Sequence, residues 1–597
     1  MRRFAFLLVS SSAVLGASVQ ETPKPNVLWI TCEDISPNLG CYGDAYAVTP
    51  NLDRLASQGV RYTNAFAPIG VCAPSRSTLI LGTFAPSVGT HPMRSQGTLP
   101  AYVKCFPEYL RDAGYSCTNN VKTDYNFTPP KSAWDESSGK AHWRGRKAGQ
   151  PFFAVFNLTG THESQIRSAQ ARTSTHDPAK APVPPYHPDT PEVRRDWARY
   201  ADNITQMDKE AARILKELED DGLSADTIVF FFSDHGAGMP RSKRWLYDSS
   251  LKVPFIVRFP EKYKRWAPGE AGSATDRLVS FVDFGPTMLS LAGVKVPGHM
   301  QGKPFLGEAA APPREYVFGF RDRMDERTDM LRCARDKRFK YIRNYLPHRP
   351  YAQHVSYMYE MPTMKAWQRL YGEGKVSEAQ KKFFEPKPAE ELYDTQADPW
   401  EVKNLADDPA HRDTLERLRK ALREWVLEIR DLGFLPEQDV RTRFKGAPHE
   451  AVRSDPKSYP LERLIDAAEL ASRRDTKALD LLKDEDPAIR FWGATALVAL
   501  GNKAPAELVR KALEDSSASV QVAAAEALCA LGHSDEALPV LIRNLRQGGD
   551  WVRLQAADVL DRLGEKARPA LDALKEAEKD KNQYVQRIVD HALKALK

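Results

Sequence analysis

Cysteine is scarce in this sequence, a large excess of charge of either sign is missing, and only one apolar run could enter a bilayer. The seven cysteines among 597 residues, at 32, 41, 72, 105, 117, 333 and 529, include no Cys-x-x-Cys pair, which excludes a disulfide scaffold and a zinc ribbon. Lys and Arg number 85 against 79 Asp and Glu, a formal net charge of +6, so nothing argues for a nucleic-acid binder or a polybasic membrane ligand. The apolar run is Phe4 to Leu15, preceded by Arg2-Arg3 and followed by Gly16, Ala17 and Ser18. It is short for a span and has the form of a cleaved secretory signal over residues 1–19, with an uncleaved anchor as the alternative. The expectation is a secreted or periplasmic protein with no stable membrane span. What is present, 42% hydrophobic and 27% charged residues, suffices for several cores.

From Pro25 to about Pro260, short β-branched and aromatic runs alternate with amphipathic stretches: Asn26 to Ile30, Phe152 to Leu158, Thr227 to Phe232 and Pro254 to Phe259. This alternation predicts an α/β domain with strands buried on both faces, over about residues 24–310. Three of the runs end in polar residues, Glu33-Asp34, Thr161-His162 and Ser233-Asp234-His235-Gly236, where α/β sheets place their ligands. The proline-rich stretch Ala169 to Pro191 predicts a surface excursion. Residues 311–432 read as a smaller α+β subdomain with a strand near Arg338 to Ile342 and a charged helix from about Asp413, and residues 433–460 as a linker.

Beyond Leu461 the sequence repeats. Leu500-Gly501, Leu531-Gly532 and Leu563-Gly564 recur at spacings of 31 and 32, and Ile489-Arg490, Val520-Gln521, Val552-Arg553 and Val585-Gln586 keep the same period. Paired helices with a glycine break predict an all-α solenoid over 461–597 that resembles HEAT-like repeats, folds as its own unit and supplies no catalytic residue, its partner being an unidentified protein or polymer.

The most specific motif is Cys72-Ala73-Pro74-Ser75-Arg76, followed by a helix-like stretch to Leu81 and then Gly82. It resembles the signature of the formylglycine-dependent sulfatases, and similarity to heparan N-sulfatase-like glycan sulfatases extends over about Pro25 to Arg430. The resemblance implies an alkaline-phosphatase-like core and conversion of Cys72 to formylglycine by a formylglycine-generating enzyme. It also implies one Ca²⁺ held by Glu33, Asp34, Asp234, His235 and the modified Cys72. Arg76, Lys122, His162 and Lys243 match the family's catalytic cations, and a cluster of cations suits a small anion chemically, because it offsets charge on the sulfate oxygens. Glu33 stands where the family commonly has Asp, and Asp124 replaces a family histidine. His91, Arg94 and Asp124 are expected around the mouth of the pocket. The resulting expectation is an exported hydrolase of a sulfate ester or sulfamate on a carbohydrate. The alternatives are a phosphodiester or phosphonate monoester hydrolase of the same superfamily, and an inactive sulfatase-like binding protein.

Overall fold

Asn26–Cys32 is buried throughout and apolar save for Asn26 and Thr31, as suits a strand in the middle of a sheet. It pairs in parallel with Phe152–Leu158 on one side and Thr227–Ser233 on the other, with Val27 opposite Phe153 and Ile228. The computed structural model describes residues 23–168, 173–444 and 449–597. The expected secretory signal at 1–19 and residues 169–172 of the proline-rich excursion lie outside the described residues. The sheet has eight strands in the order Glu136–Ser137, Ser116–Asn120, Phe152–Leu158, Asn26–Cys32, Thr227–Ser233, Phe255–Arg258, Val60–Tyr62 and Ala274–Thr275. It is mixed, since Phe255–Arg258 runs antiparallel to both its neighbours. Alternate residues of the central strand feed two layers. Leu28 and Ile30 pack with Val193, Trp197, Ile204 and Met207 of the helix Pro191–Asp220, while Val27 and Trp29 pack with Leu79, Phe106 and Phe284.

The Ala169 to Pro191 excursion is pinned where it meets that helix. His187 donates from Nε2 to the Pro240 carbonyl at 3.0 Å and accepts at Nδ1 from the Trp197 indole at 3.2 Å, a pairing open only to the neutral ring. Past the main sheet, Val317–Arg321, Leu331–Arg335, Phe339–Asn344 and Glu390–Asp394 form an antiparallel sheet. The helix Arg412–Glu428 joins the same apolar cluster through Leu418, Leu422 and Trp425, giving the α+β subdomain.

The described residues of 433–460 pack into the fold and do not form a solvated linker. Leu435, Phe444 and Tyr459 are buried in the cluster that also holds Trp425 and the helix Leu461–Ser472. The Trp492 indole donates to the Phe434 carbonyl at 3.0 Å, and Arg443 pairs with Asp486. The proline and charge that suggest a solvated tether are used otherwise: Pro436 precedes the helix Glu437–Arg443, and the arginine is spent in an ion pair.

The periodic positions occupy equivalent places in Pro487–Leu500, Ala518–Ala530, Asp550–Leu563 and Gln583–Ala595. Ile489, Val520, Val552 and Val585 are buried near each helix start. Gly501, Gly532 and Gly564 take positive φ, 54°, 89° and 55°, at or just after the helix end, where a residue without a Cβ fits best. The solenoid is not an independent unit. Arg327 pairs with Asp558 and Asp561, and Arg349 with Asp558 at 2.7 Å and Glu526 at 3.3 Å, all buried. Arg323 lies over the rings of Trp551 and Tyr584 at 4.3 and 4.8 Å, and His354 stacks on His591 at 3.7 Å. The repeats thus supply the counter-ions of cations buried in the preceding subdomain.

Removing one partner of such a network leaves charge stranded, so Asp558→Ala should lower stability by about 3 kcal/mol in urea melts. A chain ending near Lys457 should be poorly folded for the same reason, and equal stability of the two chains would contradict the interface. His187 is held down to about 3 from an ordinary 6.5 by burial. Its folded state therefore binds fewer protons than the unfolded one, and stability is complete above pH 6.5 and lost as pH falls toward 3 at about 1.4 kcal/mol per unit. Melting temperature should drop between pH 6.5 and 5, and His187→Asn should flatten that slope by one proton.

Candidate active site

Four neighbouring parallel strands end at the same edge of the sheet, and each is followed by charge: Asn26–Cys32 by Glu33 and Asp34, Ser116–Asn120 by Lys122 and Asp124, Phe152–Leu158 by His162 and Glu163, Thr227–Ser233 by Asp234 and His235. Facing them is the first turn of the helix Cys72–Leu81, with Cys72 buried and Val71 extended before it. Arg76, one turn on, donates from Nε to Asp234 Oδ2 at 3.0 Å and from Nη1 to Asn157 Oδ1 at 2.8 Å. The Ser75 hydroxyl fixes the same loop through the Asp234 carbonyl at 2.8 Å.

Each carboxylate gives one oxygen to a basic side chain. Lys243 donates to Asp34 Oδ2 at 2.6 Å, Lys122 to Glu33 Oε1 at 2.7 Å, and Arg76 to Asp234 Oδ2. Asp34 Oδ1 lies 3.0 Å and Asp234 Oδ1 3.7 Å from His235 Nε2. His235 Nδ1 sits 3.0 Å from the Gly236 carbonyl, so in the neutral ring it carries the proton and Nε2 presents a lone pair toward both carboxylates. Asp34 Oδ1 and His235 Nε2 are buried and have no hydrogen-bond partner among the described residues. Three donors converging without protons between them suit a hard divalent cation. Asp34 also adopts φ 55°, a strained conformation for a non-glycine residue, held by the Glu163 amide donating to its Oδ2 at 2.7 Å.

Electrostatics follow from this packing. Burial, against the pull of Lys122, raises Glu33 above the usual carboxylate range. Burial also pushes the Cys72 thiol well up, so the unmodified side chain stays protonated and is a poor nucleophile. His162 is lowered to about 4, first by the charge of Lys243 and then by burial. The Ser164 amide donates to His162 Nδ1 at 3.3 Å, which leaves the proton of the neutral ring on Nε2, 3.9 Å from Glu33 Oε2.

A sulfatase family model matches residues 25–294, an N-sulphoglucosamine sulphohydrolase C-terminal model residues 241–354, and a HEAT-repeat model residues 476–561 and 506–596. An ulvan-active sulfatase of Formosa agariphila is 42% identical over 73% of this chain and 80% of its own length. The chain belongs to the sulfatase family. Human N-sulphoglucosamine sulphohydrolase is 26% identical to this sulfatase over 68% of the chain and 90% of its own length. The solved structure of a 2-O GAG sulfatase shares the fold, with a TM-score of 0.51 at 20% identity, covering 73% of this chain and 96% of that one. The enzyme is thus a sulfuric ester hydrolase on an alkaline-phosphatase-like core, followed by HEAT repeats.

Of the residues expected in the sulfatase site, Cys72, Arg76, Lys122, Asp124, His162, Lys243, Glu33, Asp34, Asp234 and His235 come together. Arg94 reaches them from the rim, with its guanidinium 3.4 Å from Asp124 Oδ1. His91 does not join them. The Asn126 amide donates to the carbonyls of Thr90 and Pro92, and Thr90 meets Ser77 at 2.6 Å, which turns His91 into a separate cavity beside Asp322 and Arg323. Sequence reasoning missed Asn157, Glu163, Arg244 and Asp325. Glu163 accepts both Nη atoms of Arg244 at 3.0 and 2.7 Å, and Arg244 donates from Nε to Asp325 at 2.8 Å. Asn157 was visible as a polar residue inside an apolar strand; Glu163 and Arg244 carry no signal beyond adjacency to His162 and Lys243.

Glu163→Ala should leave the buried Arg244 with Asp325 as its one carboxylate and cost about 3 kcal/mol in melts, with turnover falling as well because Lys243 loses its second carboxylate. Glu163→Gln keeps the shape and one oxygen to accept from Arg244, and should lose less on both counts.

Proposed function

We propose that this sulfatase removes sulfate from a sulfated carbohydrate outside the cytoplasm, with Cys72 converted to formylglycine by a maturation enzyme and Ca²⁺ bound at Asp34, Asp234 and His235. Glu33 stands beside that cluster with one oxygen given to Lys122. The observation that carries this reading is the convergence of those three buried donors on the first turn of the Cys72 helix. The names of its relatives, an ulvan-active sulfatase and an N-sulphoglucosamine sulphohydrolase, support a glycan as substrate. No helix among the described residues is long and apolar enough to cross a membrane.

Formylglycine at position 72 would supply the attacking oxygen as its hydrate, and a cation held by Asp34, Asp234 and His235 would supply Lewis-acid chemistry beside it. The chain's own residues do the rest. Lys122, Lys243 and Arg76 surround the place a sulfate group would occupy and offset the charge of its oxygens, which grows in the transition state. Neutral His162 carries a proton at Nε2 and is suited to hydrogen-bond the sugar oxygen as it leaves, polarising it without transferring that proton. Asn157 and Ser75 fix Arg76 and the Asp234 loop, so these groups need little rearrangement when substrate arrives.

Peptide mass spectrometry of active protein should find an aldehyde at position 72. Sulfate release from sulfated mono- and oligosaccharides should fall by on the order of 10⁴ or more in Cys72→Ala. Chelation should abolish activity and Ca²⁺ restore it, and Asp234→Ala should lose metal and rate together. Full activity with an unmodified thiol, or in metal-free protein, would overturn the reading. A phosphonate monoester hydrolysed faster than any sulfate ester would favour the phosphorus-directed alternative.

A further inference from the structure

A groove of about 500 Å³ lies beside the active site and takes its walls from both ends of the chain: Arg94, Gln96 and Arg441 on one side, Trp551, Lys581 and Gln583 of the repeats on the other. Its size is that of a small-ligand site. Among the described residues the one acidic side chain lining it, Asp550, is tied to Arg553 at 2.9 Å, and Lys581 is exposed and has no ion pair. The groove therefore presents an excess of positive charge, interleaved with amides that can meet hydroxyl groups. It connects to the catalytic set through Arg94, 3.4 Å from Asp124, which is 3.9 Å from Lys122, itself bound to Glu33 at 2.7 Å.

The walls are held in place. Arg94 and Gln96 both sit at positive φ, 53° and 48°, in a loop fixed by the Asn126 side chain accepting from the Arg94 amide at 2.8 Å and by Arg441 donating to the Ser95 carbonyl. The opposite wall is seated by Arg323 against the rings of Trp551 and Tyr584.

We infer that the HEAT repeats complete the substrate site, and that Lys581 and Gln583, with Arg94 and Arg441, hold a second anionic group on the carbohydrate away from the ester being cleaved. This inference rests on the reading of the active site above. It makes the repeats a determinant of specificity for polyanionic oligosaccharides over sulfated monosaccharides.

The test measures binding apart from turnover. A sulfated tetrasaccharide prepared from ulvan is titrated into full-length Cys72→Ala protein, with and without Lys581→Glu and Gln583→Ala. Both positions are exposed, so the fold is not at risk. The expected result is affinity weaker by about tenfold for the Lys581→Glu protein, with a smaller loss for Gln583→Ala and a weaker salt dependence for Lys581→Glu. In the Cys72-containing enzyme the same Lys581→Glu change should raise KM for the tetrasaccharide about tenfold and leave kcat within twofold. Affinities within twofold across the series, or no measurable binding of the tetrasaccharide, would overturn the inference. Failure of the wild-type enzyme to release sulfate from any saccharide would instead count against the active-site reading, and the titration would still decide the role of the groove.

Discussion

Charge balance at the edge of the central sheet governs this molecule. Because adjacent parallel strands end together, Glu33, Asp34, Glu163 and Asp234 are buried close to one another. Burying one carboxylate costs several kcal/mol unless it is paired, and gathering several adds mutual repulsion. The fold meets this cost with basic residues drawn from separate segments: Arg76 from the Cys72 helix, Lys122 from a neighbouring strand end, Lys243 and Arg244 from the loop after Asp234. Compensation then runs outward, since Arg244 also takes Asp325 of the second subdomain, whose carbonyl accepts from Arg323, and Arg323 is clasped by aromatic rings of the repeats. Site, subdomain and solenoid are linked by one continuous chain of ion pairs, a backbone hydrogen bond and cation–π contacts.

Strain is concentrated along the same path. Asp34, Asp124, Arg244 and Asp325 all adopt positive φ, between 49° and 82°. Such conformations cost of order 1–3 kcal/mol each for side-chain-bearing residues and persist only where surrounding contacts impose them. Here the imposing contacts for Asp34, Arg244 and Asp325 are buried ion pairs and hydrogen bonds, so the geometry that gathers the donors is a product of the charge network.

The parts legible in the sequence were those in which local pattern and long-range structure agree. A strand buried on both faces is continuously apolar, so Asn26 to Ile30 announced itself, and the polar residues ending three such strands marked the site. The repeat glycines were legible because a helix whose end turns through positive φ favours that residue. Buried ion pairs left no such trace. Arg327 and Asp558 are separated by 231 positions, and a charged residue that faces a partner reads the same as one that faces water. For that reason the repeats looked detachable, 433–460 looked like a tether, and Arg241, Lys243 and Arg244 gave no sign that all three are buried. His91 failed differently: its position after the motif helix was right, but the Asn126 hydrogen bonds that turn it inward come from a loop 35 residues on.

All seven cysteines are unpaired, and six of them are buried. Burial raises Cys32, Cys105, Cys117 and Cys333, and Cys41, only partly buried, is pushed up to about 12 by burial and the nearby Asp53. Reaction with oxidants proceeds through the thiolate, so these sulfurs are chemically quiet at neutral pH. The architecture therefore owes nothing to the redox potential of its surroundings: it should assemble equally in a reducing cytosol and in an oxidising extracellular medium, and tolerate reductant that would unravel a cystine-stapled enzyme.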